Sequence, residues 1–397
     1  FGSSRGNPAC SILPTAPSLP DSQTMRPSSP KKRSSVLASA GPLKRKLAGI
    51  AGSLRRQHSS KSGAECSSRE RSPAPSLPTA STRSDLSDAS HLSELTEDFP
   101  EEALPLPLPF FEDEGMHLRW GAALAGRQPW ELSAEELRPL LAGGMPLKHR
   151  LALWPRWFSL PPGAVGRVEE LCGQASGAAA AQIELDMPRT HPQWPLGDAA
   201  RHTLRRVLLA CAARYPEVGY CQGMGHMAAT LIILGFDEDL ALRGLCSLME
   251  SCCEGYHDAG LSGWRQDANV LGELATRTLS PEALRRLQVV DVPLEVLASE
   301  HFLTVGSRSW PLEAALRLWD LALLDGPSAV FCSFLALLEL FLPSVQGEAD
   351  LEAEPVELFR ERALLGLAEN PVEVLECTQR IMEEVPRSLL GELRSGL

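Results

Sequence analysis

The sequence has no Cys-x-x-Cys pair, no apolar run of the 18 or so residues that span a bilayer, and no strand-like alternation of convincing length. Each absence narrows the reading. Several of the 10 cysteines (Cys211, Cys246, Cys332) sit in apolar runs, where a reduced thiol behaves as a small core residue, and a reduced, cytosolic setting follows. The longest apolar run, 329–343, is interrupted by Glu339 and reads as a buried helix. A net charge of -12 weighs against nucleic acid as the main partner. The folded part is expected to be all-α, and 397 residues suit one large or two medium domains.

The net charge hides an asymmetry. Residues 1–84 hold 14 Lys or Arg against 3 Asp or Glu, whereas residues 85–114 hold 10 acidic residues and no basic one. The first segment is rich in Ser, Pro and Gly without a sustained apolar period. Such a composition cannot bury enough apolar surface to offset its chain entropy. Residues 1–114 are therefore expected to be a disordered basic tail followed by an acidic linker, with an all-helical domain over 115–397. Two basic clusters, Pro30-Lys31-Lys32-Arg33 and Leu43-Lys44-Arg45-Lys46, are open to several readings: a nuclear address, contact with anionic lipid, an organelle transit segment, or a solvated, phosphorylatable tail. The chain begins at Phe1 rather than methionine, so its natural N-terminus is expected to be missing.

Further along, Ser133 and Glu136 form a capping box ahead of Leu137, Leu140 and Leu141, with a stop at Gly143-Gly144. Arg150 and Trp154, at i and i+4, share a helix face. Asp198 is expected to cap a helix of roughly 17 residues with Leu204, Val207, Leu208, Cys211 and Tyr215 on one stripe. Residues 223–235 are apolar almost all round, as in a core helix, and His226 reads as a hydrogen-bonded core residue. Further helices are expected after Asp237, at Pro281, and over about 355–366 and 371–384.

Two stretches carry candidate chemistry. One is Ile183-Glu184-Leu185-Asp186-Met187-Pro188-Arg189-Thr190, read as a loop because prolines at 188, 192 and 195 keep Arg189 out of regular helix. An arginine so placed brings five donors and a permanent charge, suited to clamping phosphoryl oxygens. The other is Val218-Gly219-Tyr220-Cys221-Gln222-Gly223-Met224, where Gln222 offers a donor and an acceptor that can orient a water. A helix about 25 Å long separates them, and an extended 190–197 segment is long enough to run back and join them. Cys252-Cys253 with His257 offers a nucleophile and a base, but nothing nearby supplies a third orienting group.

Together these stretches resemble the TBC-domain family, the Rab GTPase-activating proteins. Its arginine motif, Ile-x-x-Asp-x-x-Arg, is matched at Ile183, Asp186 and Arg189, followed by Thr190; its Tyr-x-Gln motif is matched at Tyr220 and Gln222. The Gly144–Trp154 segment resembles the family's opening motif, and Arg317-Leu318-Trp319-Asp320 with Gly326 resembles a later signature. The chain departs from the family at Gly225, where an asparagine is usual, and at His301, where a tryptophan is usual; the first is expected to loosen the turn under Gln222. The resemblance covers about 140–345. It implies a multi-helix TBC domain, and a partner that is a Rab-type GTPase in its GTP-bound state. Arg189 would be an arginine finger and Gln222 a glutamine finger acting in trans. Asp186 would hold the arginine and Tyr220 would pack under the glutamine, with Ile183, Thr190, Arg150 and Trp154 in support. It implies no cofactor of the protein's own, because GTP and Mg arrive with the GTPase. The chain would be no hydrolase by itself. A cytoplasmic setting, peripheral on endomembranes, and a role in vesicle trafficking are the matching expectations. The alternative is a TBC-like scaffold that grips a GTPase or membrane adaptor without stimulating hydrolysis.

Overall fold

The computed structural model describes residues 112–191, 196–290, 292–344 and 355–396. The basic tail and nearly all of the acidic linker lie outside them. The last three acidic residues of the linker already belong to the fold: Asp113 caps the first helix through the amide of Met116, and Glu112 accepts from the amide of Leu147 at 2.6 Å.

The described residues form α1 (Glu114–Leu124), α2 (Ala134–Ala142), α3 (Leu147–Trp157), α4 (Val168–Leu171), α5 (Gly177–Asp186), α6 (Asp198–Arg214), α7 (Gln222–Ile233) and α8 (Glu238–Cys252). They continue with α9 (Ser262–Thr278), α10 (Pro281–Val290), α11 (Leu294–Thr304), α12 (Leu312–Asp325), α13 (Pro327–Phe341), α14 (Pro355–Glu369), α15 (Pro371–Glu384) and α16 (Arg387–Gly396). No strand occurs among the described residues, so the fold is all-α as expected.

Local chemistry sets the helix starts. Ser133 and Glu136 make the anticipated capping box, Ser176 caps α5 and Asp237 caps α8. Each cap satisfies amides that the first turn leaves without an intrahelical partner. At α6 the cap position falls on Gly197, with Asp198 one residue inside, where its charge still complements the helix dipole. The stripe Leu204, Val207, Leu208 and Cys211 is buried, and Arg205 and Arg206 pair outside with Glu184 and Glu238.

The core is helix on helix. α6 packs on α7 and α8, α7 also meets α11, and α13 lies against α12 and α15. Pro327–Ser344 is long and apolar enough to cross a bilayer by length and composition, one turn more than the sequence pattern promised, and 67% of it is buried inside the fold. Arg150 and Trp154 anchor α3 to α12: Arg150 donates to both oxygens of the fully buried Asp320 at 2.9–3.1 Å, and the Trp154 indole donates to the same carboxylate at 2.8 Å. Arg150 thus ties two distant helices together, a structural role. Removing one partner of such a pair leaves a buried charge uncompensated. The Arg317-Leu318-Trp319-Asp320 run acts in packing as well: Arg317 donates to the carbonyl of Ala142, and Trp319 to that of Val305.

Candidate functional site

The arginine stretch is more helical than the prolines suggested. Ile183 and Asp186 lie in the last two turns of α5, and Met187–Arg189 form a single 3-10 turn. Proline ends an α-helix at or just before itself, yet it fits a short 3-10 turn, where its missing amide leaves no bond broken. Ile183 is fully buried and fixes the helix, and the Thr190 hydroxyl donates back to the carbonyl of Asp186 at 3.0 Å. Arg189 is consequently held at the surface on a defined turn, with half of its side chain exposed.

Gln222 opens α7. The turn before it passes through Gly219 at φ 68°, and Tyr220 and Cys221 are buried beneath. Gly223 is required by close approach: a Cβ there would lie 2.6 Å from the Leu303 carbonyl, so the start of α7 rests directly on the last turn of α11. At Gly225 the expected loosening is absent. A Cβ would meet the Tyr220 hydroxyl at 3.1 Å and the Thr190 hydroxyl at 3.4 Å, so the glycine lets both close over the helix start.

These elements bring the two candidate groups together. The Arg189 guanidinium donates to Asp186 Oδ1 and stands 3.4 Å from Gln222 Oε1, at the long end of hydrogen-bond range. Asp186 is buried and also accepts from Gln182 at 3.2 Å. Its Oδ2 and the Tyr220 hydroxyl have no hydrogen-bond partner. Burial, and then the Asp186 charge, push the Tyr220 phenol well above its ordinary value, so it stays neutral. A cation and an amide are thus presented side by side on a buried carboxylate and phenol. This arrangement can clamp an anion and orient a water.

Two histidines 35 residues apart in the sequence meet behind the site. His191 and His226 are both buried, with ring centroids 5.3 Å apart. His191 contacts the His226 carbonyl and the Thr230 hydroxyl at 3.2 and 3.1 Å. His226 is a core residue as expected, but its Nδ1 lacks a partner, and burial lowers its pKa to about 3. The only available signal was the placement of His191 directly after Thr190.

The thiol alternative fails on geometry. Cys252 and Cys253 are buried, and burial raises the Cys252 thiol to about 11 and moves Cys253 upward too. The His257 ring contacts the Leu303 carbonyl, not a thiol. Among the described residues, no group of three His, Cys, Asp or Glu could hold a metal ion.

Residues 166–345 match the profile of the Rab-GTPase-TBC domain. Human Small G protein signaling modulator 3 is 32% identical over 270 residues, which are 61% of this chain and 35% of that protein. Growth hormone-regulated TBC protein 6 of Caenorhabditis elegans is 29% identical over 258 residues, covering 64% of this chain and 74% of that protein. The crystal structure of the Chlamydomonas flagellar RabGAP TBC domain superposes with a TM-score of 0.54 at 21% identity, over 69% of this chain and 95% of that one. At that identity the likeness is one of fold. The chain spans about a third of the length of the first of these relatives.

Proposed function

The chain carries a Rab-GTPase-TBC domain, and from that premise we propose that it accelerates GTP hydrolysis by a Rab-type small GTPase, lending Arg189 and Gln222 to the GTPase's active site. The observation that carries this reading is the 3.4 Å approach of two side chains 33 residues apart, at an exposed edge, on a turn and a helix start fixed from below.

In GTP hydrolysis the barrier falls mainly through positioning and through stabilising charge on the transferred phosphoryl oxygens. Arg189 reaches those oxygens with a planar, permanently charged fork, and Gln222 aligns the attacking water by accepting its hydrogen and donating to a neighbouring oxygen. Asp186 holds the guanidinium at the surface before the partner arrives. An arginine supplied in trans is worth about 10³–10⁵ in rate, which is about 4–7 kcal/mol of transition-state stabilisation. GTP and Mg come with the GTPase; the protein contributes no cofactor. The bound GTPase is in its GTP state, the setting is cytoplasmic and peripheral on endomembranes, and the role is in vesicle trafficking. The basic clusters at 31–33 and 44–46 suit contact with anionic lipid.

A scaffold that only grips a GTPase or adaptor needs no such pair, which favours the activating reading. Single-turnover GTP hydrolysis by a panel of GTP-loaded Rab proteins separates the two. Acceleration of one or a few, lost with Arg189→Ala while binding persists, is the expected result. Binding without acceleration across the panel would establish the scaffold.

A further inference from the structure

Asp186 carries a negative charge into the core. It is 1% exposed, and the cation that meets it is the Arg189 guanidinium, which donates to Oδ1. Gln182 donates to the same oxygen at 3.2 Å. Oδ2 has no partner, and neither has the hydroxyl of Tyr220, which is buried two residues before α7. A bare carboxylate oxygen and a bare phenol at such depth are uncommon, because each leaves a hydrogen bond unmade.

Packing brings the phenol to the turn that Asp186 ends. The Thr190 hydroxyl donates to the Asp186 carbonyl at 3.0 Å. A Cβ on Gly225 would meet that hydroxyl at 3.4 Å and the Tyr220 hydroxyl at 3.1 Å, so both gather over one point of α7. The Asp186 charge is felt there, since after burial it is what pushes the phenol upward. Gly225 offers no side chain to bond, and Thr190 already gives its proton to Asp186. The phenol proton is uncommitted. A use for it arises when Arg189 acts. To reach phosphoryl oxygens the guanidinium turns away from Asp186, which leaves a buried carboxylate with one neutral donor. A buried charge stripped of its partner is costly, and that cost opposes the departure of the finger.

We propose that Tyr220 is the reserve partner of Asp186: its hydroxyl donates to Oδ2 as Arg189 swings outward, which frees the finger without stranding the carboxylate. Tyr220 is then a positioning residue, acting through Asp186 and touching neither phosphate nor water. Its part in hydrolysis rests on the GTPase-activating reading, whereas the contact itself belongs to the free protein.

Two variant cycles on the full chain test the proposal. In the first, Arg189→Ala stands for the finger withdrawn, and urea denaturation near neutral pH reads the contact without any GTPase. Tyr220→Phe is expected to lower the midpoint clearly more in Arg189→Ala than in wild type, because only there is the hydroxyl bonded to a charge. Equal shifts in the two backgrounds overturn the proposal. The second cycle follows single-turnover hydrolysis by a responsive Rab at saturating protein. Tyr220→Phe is expected to slow it about tenfold, the size of a hydrogen bond to a charged group, with the Kd for a Rab holding a non-hydrolysable GTP analogue unchanged. In Asp186→Asn there is no charge to strand, so Tyr220→Phe is expected to add little slowing. A tyrosine that only packed beneath Gln222 would matter equally in both backgrounds, and equal slowing overturns the assigned role. If no Rab responds while the midpoints behave as expected, the activating reading falls and the contact between Tyr220 and Asp186 stands.

Discussion

Arg189 is positioned by a neighbour three residues away, and the placement has a measurable consequence. Asp186 is buried and the guanidinium it holds is half exposed, so the pair is partly screened and worth about 1 kcal/mol or less. In Asp186→Asn the shape survives and the charge does not. The variant is expected to lower the single-turnover GTP hydrolysis rate of the responsive Rab by about fivefold, with the Rab's Kd unchanged. An unchanged rate would mean that Asp186 has no part in holding the finger. The sequence carried Arg189, Asp186, Tyr220 and Gln222 openly, because motif spacing is a property of the chain. It did not carry the Gly225 packing. There the tyrosine and threonine hydroxyls that fill the position come from 5 and 35 residues away, and no local pattern records their meeting.

At the scale of elements, the site depends on how α7 seats on α11. Gly223→Ala forces a methyl to within 2.6 Å of a backbone carbonyl that has no side-chain freedom to yield. Overpacking of this kind costs about 1–3 kcal/mol. Urea denaturation is expected to show that loss, with activity falling further than stability because the strain enters beside Gln222. A variant as stable as wild type would show that α7 sits more loosely than described. Helix existence was legible from caps and apolar stripes: α2, α6, α8 and α15 begin within a residue of their signals. The end of α5 is not legible from Pro188, because proline acts on its own turn and leaves the preceding ones intact, so the helix runs on to Asp186. The last helix, α16, gave no usable signal. It is short, and it is secured by Arg394 pairing with Asp267, 127 residues earlier.

Across the whole molecule, buried histidines tie stability to pH. Burial lowers His226 to about 3 and His301 to about 4, below the ordinary value of about 6.5. His191 and His257 are displaced the same way for the same reason. Below about pH 6.5 the unfolded chain takes up protons that the folded chain refuses. The stability these groups contribute is therefore complete above that pH and lost as pH falls toward 4, at about 1 kcal/mol per unit for each fully shifted histidine. The denaturant midpoint is expected to be clearly lower at about pH 5 than at about pH 7.5. An equal or higher midpoint at the acid value would show that these rings protonate without unfolding cost. The all-α class was readable over the entire folded part, since no segment alternates with period two. Long-range ties such as Arg150 with Asp320, 170 residues apart, follow only from the packed whole.

The central claim is that Gln222 orients the water in place of the GTPase's own glutamine while Arg189 stabilises the phosphoryl charge. The most direct test is single-turnover hydrolysis by a responsive Rab whose own catalytic glutamine has been replaced by alanine. Wild-type protein is expected to accelerate that Rab by about as much as the unmodified one, and Gln222→Ala to lose nearly all of the acceleration. If the altered Rab does not respond to wild-type protein, or responds equally to Gln222→Ala, the glutamine is not supplied in trans and the account is wrong.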